Sequence, residues 1–273
     1  MKKKISTHFD IVVIGSGPGG FKSADYFAKK GLKVCLIEKG DSPNKSDFFG
    51  LNSLTKFYDD NGVIPIISQS IFGFAQGNVL GGGSVINGAL VWQIPEHTRS
   101  KWNELMSKKE VDKIAANYEI IKKDLDVKDS LITNPFKNLD SEILKEGASK
   151  LSWKCVSVPR ALKRCEEYNN CGFGCPGLNK NSVDLVYKDS FLKNKGLIKT
   201  NTSCIKINHK KGYVDSIKVS DCNGLISQIS ATNFVLAAGA INSNVLLQKS
   251  HITNKSFIQF HLNLKIVAIF DKK

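Results

Sequence analysis

Three glycines at fixed spacing, in the run Gly15-Ser16-Gly17-Pro18-Gly19-Gly20, restrict this chain more than any other feature. They lie between two readable elements. Asp10 to Ile14 is a short apolar, β-branched run, as a buried strand requires. Beyond the glycines, Ala24, Phe27 and Ala28 fall at helical spacing and Gly31 ends the helix. A second buried strand, Lys33 to Glu38, completes a βαβ unit that opens a parallel sheet. Gly15 permits the tight turn, Gly17 lets main chain approach a pyrophosphate with no Cβ in the way, and Gly20 lets helix pack on strand. Pro18 belongs to the same turn, and the helix N-terminus behind it offers free N–H groups and a positive dipole end to phosphates. Glu38 closes the second strand, where a carboxylate accepts the hydroxyls of an adenosine ribose. The unit predicts dinucleotide binding. FAD and NAD both satisfy it, whereas Glu38 would repel the 2′-phosphate of NADP.

A second cluster, Gly77-Asn78-Val79-Leu80-Gly81-Gly82-Gly83-Ser84-Val85-Ile86-Asn87-Gly88, has no βαβ strand before it and is not another Rossmann turn. Successive glycines put bare backbone against something flat or charged, which a flavin or its pyrophosphate would supply. A flexible loop is the alternative. Ala237-Ala238-Gly239-Ala240 again sets small residues at the end of a strand and before a helix. They allow either close cofactor approach or tight strand–helix packing.

Between these clusters the organisation is uneven. Residues 41 to 76 show no strong periodicity and read as an excursion with short elements. Val111, Ile114, Tyr118, Ile121 and Leu125 mark an amphipathic helix, and Ser141 to Leu151 another. Ile198–Asn208, Gly212–Val219 and Ser227–Ala237 are β-rich, with Gly212 and Asn223-Gly224 as turns.

Composition narrows the partners. The formal charge is +14, almost all from lysine, since Arg99, Arg160 and Arg164 are the only arginines. The lysines are scattered, often beside Asn or Asp, and read as a solvated surface rather than a nucleic-acid footprint. The first strand follows the basic start at once, which argues against a secretory signal. Val63 to Ala75 is broken by Pro65 and is too short to span a bilayer. Seven cysteines without a signal fit reduced thiols or a metal site better than a disulfide framework. The expectation is a cytoplasmic protein.

Four segments together resemble the glucose–methanol–choline (GMC) oxidoreductase family: the GSGPGG turn with Glu38, GNVLGGGSVINGA, CGFGCPGLNKNS, and FVLAAGAINSNVLL at Phe234 to Leu247. The resemblance implies FAD in an extended pose and oxidation of a CH–OH group of an alcohol or sugar by hydride transfer to the flavin. It assigns the ADP half of FAD to Gly15, Gly17, Gly20 and Glu38. Gly81, Gly82, Gly83, Ser84 and Asn87 would lie along the pyrophosphate and isoalloxazine. Cys204-Ile205 would pass near the adenine, and Ala238-Gly239 would close the far side. It also implies an α/β fold: a Rossmann-like FAD-binding domain with parallel sheet and β-meander (1–100 and 195–255), a helical insertion with the cysteine loop (101–194), and the truncated start of a substrate domain (256–273).

Cys165, Cys171 and Cys175 follow a C-x5-C-x3-C-P pattern. Clustered thiolates can hold a soft metal site, and the spacing is similar to that of GMC-type dehydrogenase subunits with a three-iron cluster. A tight loop of free thiols is the other reading. Flavin-linked alcohol oxidation needs a base near the carbinol proton. The family places that base, a histidine, beyond residue 273. His8, His97, His209, His251 and His261 sit in no acid–base constellation. His261 falls where the family has a histidine after the link into its substrate domain, without the usual flanking residues. The expectation is a fragment lacking its catalytic base and inactive alone. A non-catalytic FAD-binding chain, or a flavin and iron–sulfur electron-transfer subunit working with a partner chain, are the alternatives.

Overall fold

The computed structural model describes residues 8–67, 69–129, 139–255, 257–260 and 267–269. Strand β1 (His8–Ile14) leads through the glycine turn into helix α1 (Pro18–Lys29) and back into β2 (Val34–Ile37). Helix α2 (Leu51–Phe57) precedes an antiparallel ribbon of β3 (Tyr58–Ile67) and β4 (Ile71–Gly77). Helices α3 (Gly83–Ile86), α4 (Glu96–Trp102) and α5 (Lys108–Asp124) follow. Helix α6 (Leu139–Lys150) lies between two short paired strands, β5 (Lys128–Asp129) and β6 (Pro159–Arg160). Next come α7 (Val183–Lys193), β7 (Leu197–Lys199), β8 (Thr202–Lys210), β9 (Tyr213–Asp221), β10 (Ile226–Leu236) and α8 (Ala240–Lys249). Among the described residues, no helix is long and apolar enough to cross a membrane.

The main sheet has the order β7-β2-β1-β10-β9-β8. Strands β7, β2, β1 and β10 run parallel, and β10, β9 and β8 form an antiparallel meander. The sheet is therefore mixed, and the α/β expectation with parallel sheet and meander holds. Apolar side chains cover both its faces. On one, Phe9, Ile14, Ile37, Ile217 and Ile229 pack under Leu246 of α8. On the other, Ile11, Val13, Val34 and Leu36 meet Phe21 and Ala24 of α1 and Val183, Tyr187 and Phe191 of α7. Phe21 and Phe191 meet edge to face at 6.2 Å, a geometry that adds about 1 kcal/mol to the area they bury. Helix α7 thus packs against the Rossmann helix.

Several boundaries differ from the sequence reading. The stretch Ile198–Asn208 divides at Asn201, whose φ of +50° turns the chain. Its two parts, β7 and β8, then join opposite edges of the sheet. Helix α5 begins earlier than its apolar positions, at a capping box of Ser107 and Glu110, and Ile114 faces solvent. The excursion at 41–76 contains a long ribbon, paired from Val63↔Ala75 to Ile67↔Ile71. Val63 to Ala75 carries no charge on either face, so no polar alternation announces a strand. Phe260 packs on the ribbon against Phe72 and Phe74. His261 lies outside the described residues, as does the expected start of a substrate domain at 256–273 apart from 257–260 and 267–269.

The first turn is set by backbone contact. A Cβ on Gly20 would sit 1.9 Å from the carbonyl oxygen of Gly15. Gly20→Ala must push α1 off β1 and should cost about 3 kcal/mol. A fall in the thermal midpoint of the cofactor-free chain checks this.

Candidate functional site: a glycine-lined cradle at the carboxyl edge of the sheet

The carboxyl ends of β1 and β10 converge on Gly15. Its N–H donates to Ile37 O (2.8 Å), and Ala237 N–H donates to Ile14 O (2.8 Å). Gly15 has φ +96°, and a Cβ there would meet Ala237 O at 2.4 Å, with Ala238 close behind. Gly15 and Gly20 are thus glycines because the protein itself leaves no room. Gly17, Gly19 and Gly83 differ: a Cβ on any of them would meet nothing within 4 Å. Gly17 has an ordinary φ of −61° and, as N-cap of α1, gives no side-chain acceptor to the first-turn amides. Pro18 occupies the first turn, where its missing N–H costs nothing. The result is bare main chain and a helix dipole end open to a ligand anion.

One buried hydroxyl ties three sequence motifs together. Ser16 Oγ donates to Glu38 Oε2 (2.6 Å) and accepts from Gly81 N–H (3.0 Å). Glu38 also accepts from Ser16 N–H (3.0 Å) and Gly40 N–H (2.8 Å). Burial is the largest influence on this carboxyl and pushes its pKa up, against the donors that favour the charged form. A carboxylate has about four acceptor sites. Protein donors thus already occupy most of the Glu38 acceptor sites. The two glycine clusters touch directly, since a Cβ on Gly82 would lie 2.8 Å from Gly17 Cα. Gly81 and Gly82 have φ of +97° and +55°, in the region that favours glycine. Ser84 Oγ is turned inward, donating to Gly81 O (2.7 Å) and accepting from Val183 N–H (3.1 Å) at the start of α7.

Lys180 secures the far end of the second cluster. It is 3% exposed, and its Nζ donates to the carbonyls of Val85, Asn87 (2.7 Å) and Cys171 (3.0 Å). Burial lowers its pKa to about 8. Asn87 uses its side-chain oxygen on Ala89 N–H (2.9 Å). Sequence reading gave Lys180 no role. The same is true of Asp59, which accepts from Lys39, from Gln76 (3.3 Å) and from Asn242 (3.2 Å). Gln76 in turn lies beside Gly239, φ +84°. These groups come from four separate segments, so no local pattern could have shown them. Ile205 stands outside this set, on β8 at a bulge between Cys204 and Lys206, three residues past Thr202, whose N–H donates to Glu38 O (2.9 Å).

Comparison with known proteins decides the family. The GMC oxidoreductase pattern matches residues 54–267, and an FAD binding domain pattern matches 10–49. The chain belongs to the GMC oxidoreductase family. It is 28% identical to a long-chain-alcohol oxidase of Arabidopsis thaliana over 90% of its own length and 34% of that protein. To an uncharacterised GMC-type oxidoreductase of Sinorhizobium fredii it is 26% identical, over 100% of its own length and 55% of the relative. The crystal structure of pyridoxine 4-oxidase from Mesorbium loti superposes with a TM-score of 0.64 at 17% identity, covering 89% of this chain and 52% of that one, and so shares the fold. The chain thus spans about a third to a half of the length of these relatives.

FAD is the cofactor of this GMC chain, and the open backbone at Gly17, Gly19 and Gly83 fits it. Cys165, Cys171 and Cys175 line one pocket, yet no three His, Cys, Asp or Glu side chains among the described residues are placed to hold a metal ion. Cys171 Sγ instead accepts from the Arg160 guanidinium (3.5 Å). None of the three cysteines is in a disulfide.

Two outcomes follow from the buried charges. Lys180→Met strands buried carbonyls without a donor and should cost about 3 kcal/mol in denaturant unfolding. Glu38 holds its proton more tightly folded than unfolded, so its contribution to stability is present below the unfolded pKa of about 4.3 and is lost as pH rises through the folded value. The stability of Glu38→Gln relative to wild type should therefore rise from about pH 4 to about pH 7. Thermal midpoints of both proteins across that range test the sign.

Proposed function

We propose that this chain is the FAD-holding part of a flavoenzyme that oxidises a CH–OH group of an alcohol, and that the base for that reaction comes from outside residues 1–273. The open main chain at Gly17, Gly19 and Gly83 carries the reading: protein packing gives no reason for glycine there, whereas a pyrophosphate lying on the backbone does. Bound FAD would supply the acceptor for the hydride. Gly17, Gly19 and Gly20 main chain would hold the pyrophosphate, with Pro18 shaping the turn. Gly81 to Gly83 would form the opposing wall, with Ser84 and Asn87 fixing its shape. Glu38 would take one ribose hydroxyl. Ala238-Gly239 would limit the far side, and Ile205 the adenine end.

Two described histidines have other partners: His8 pairs with Thr232 Oγ1 (3.1 Å) and His209 with Ser250 O (3.0 Å). Neither bond involves the cradle, which supports a base supplied elsewhere. Between alcohol and sugar donors, the uncharged stretch Val63–Ala75 of the ribbon favours an apolar alcohol, in keeping with the long-chain-alcohol oxidases among the relatives.

Gly17→Ala separates binding from folding. The cofactor-free variant should match wild type within about 1 kcal/mol, because its Cβ meets no protein atom. Its FAD affinity should fall at least about tenfold, or 1.4 kcal/mol. Flavin titration reads both proteins. Equal affinities would remove the pyrophosphate from Gly17. Turnover of any alcohol by this chain with an artificial electron acceptor would refute the external base.

A further inference from the structure

Helix α6 takes no part in the FAD cradle and stands open. None of its 12 residues is buried among the described residues. A helix this short is marginal in water by itself, because most helical stability in proteins comes from packing an amphipathic face. Such a face is present. Leu139, Ile143, Gly147 and, one residue past the helix, Leu151 follow at four-residue spacing and form one stripe. Leu139, Ile143 and Leu151 are 67%, 47% and 60% exposed.

Gly147 is a second, independent observation. A glycine inside a helix weakens it. Its backbone gives no reason for glycine, since its φ is not in the left-handed region. Packing within the chain gives none either, because a Cβ there would meet nothing within 4 Å. Bare backbone in the middle of an exposed apolar stripe is a hole for a side chain from another molecule. Charge then sets the direction of approach. At about 3.6 residues per turn, Asp140 and Lys150 fall within the same stripe, one at each end.

We propose that α6 pairs with α6 of a second copy of this chain, antiparallel about a two-fold axis at the level of Lys145. That axis sets Ile143 into the gap at the partner's Gly147, Leu139 against the partner's Leu151, and Asp140 against the partner's Lys150. Each contact occurs twice, as a two-fold interface requires. A parallel pair would instead set like charges against each other at both ends. Lys150 also meets Glu146 of its own helix (2.7 Å), but both side chains are mostly exposed and such a pair holds weakly. The formal charge of +14 opposes contact between two copies. Helix α6 does not share that excess, since it sets Asp140, Glu142 and Glu146 against Lys145 and Lys150. One helix from each chain makes a small interface, so the dimer is a transient one.

Sedimentation velocity of the full chain over a dilution series, near physiological ionic strength, tests the pairing. The wild type should move from the sedimentation coefficient of one chain toward that of two as concentration rises. Gly147→Gln puts a good helix former into open space, so the dilute variant should keep the wild-type thermal midpoint. Its association should weaken at least about tenfold. Asp140→Lys and Lys150→Asp should each weaken association to a similar extent. An equimolar mixture of those two variants should recover it, because both charge pairs re-form only between unlike chains. A single chain at every concentration, Gly147→Gln associating as the wild type does, or a mixture no tighter than either charge variant alone would each overturn the proposal. None of these readouts involves flavin, so their failure leaves the FAD reading untouched.

Discussion

Two glycine backbones meet where the first Rossmann turn passes the second glycine cluster, and the hydroxyl of Ser16 holds them in register. That hydroxyl donates to Glu38 and accepts from Gly81, so one buried group joins the end of β1, the end of β2 and a segment 65 residues away. Because Gly82 lies against Gly17, any side chain at Gly82 would wedge the two walls apart. The width of the cradle therefore depends on these few atoms, and so does the site that FAD requires.

The rest of the architecture keeps that junction in place. Apolar faces above and below the sheet fix the strands, and α7 braces α1 through Phe191 and Phe21. The first residue of the same helix, Val183, donates its N–H to the Ser84 hydroxyl. Core packing and cofactor wall thus share a helix. Lys180 extends the connection from the wall to the cysteine loop by three hydrogen bonds from one ammonium, which is how a buried charge can be retained at tolerable cost.

Much of this was legible from residue order, and the limits are physical. Gly15 and Gly20 look alike in sequence to Gly17, yet the first two are required by neighbouring backbone and the third is not. A motif gives the spacing of small residues but not the atoms facing them. The three cysteines have metal-like spacing, but spacing does not show that they share a pocket or that the Arg160 guanidinium donates to Cys171 Sγ. The β3–β4 ribbon stayed hidden because a strand apolar on both faces has no alternation to read.

Residue order by itself determined the βαβ unit, the two glycine clusters, the meander and the family resemblance, because each rests on local spacing or on contiguous segments. Tertiary structure decided what no window of sequence contains: that β7 and β8 go to opposite edges of one sheet, that Ser16 bridges Glu38 to Gly81, that Asp59 gathers Lys39, Gln76 and Asn242, and that Lys180 closes the second cluster. These are hydrogen bonds and pairings between groups far apart in the chain. They exist only once burial of the sheet's two apolar faces has brought those segments within reach of one another.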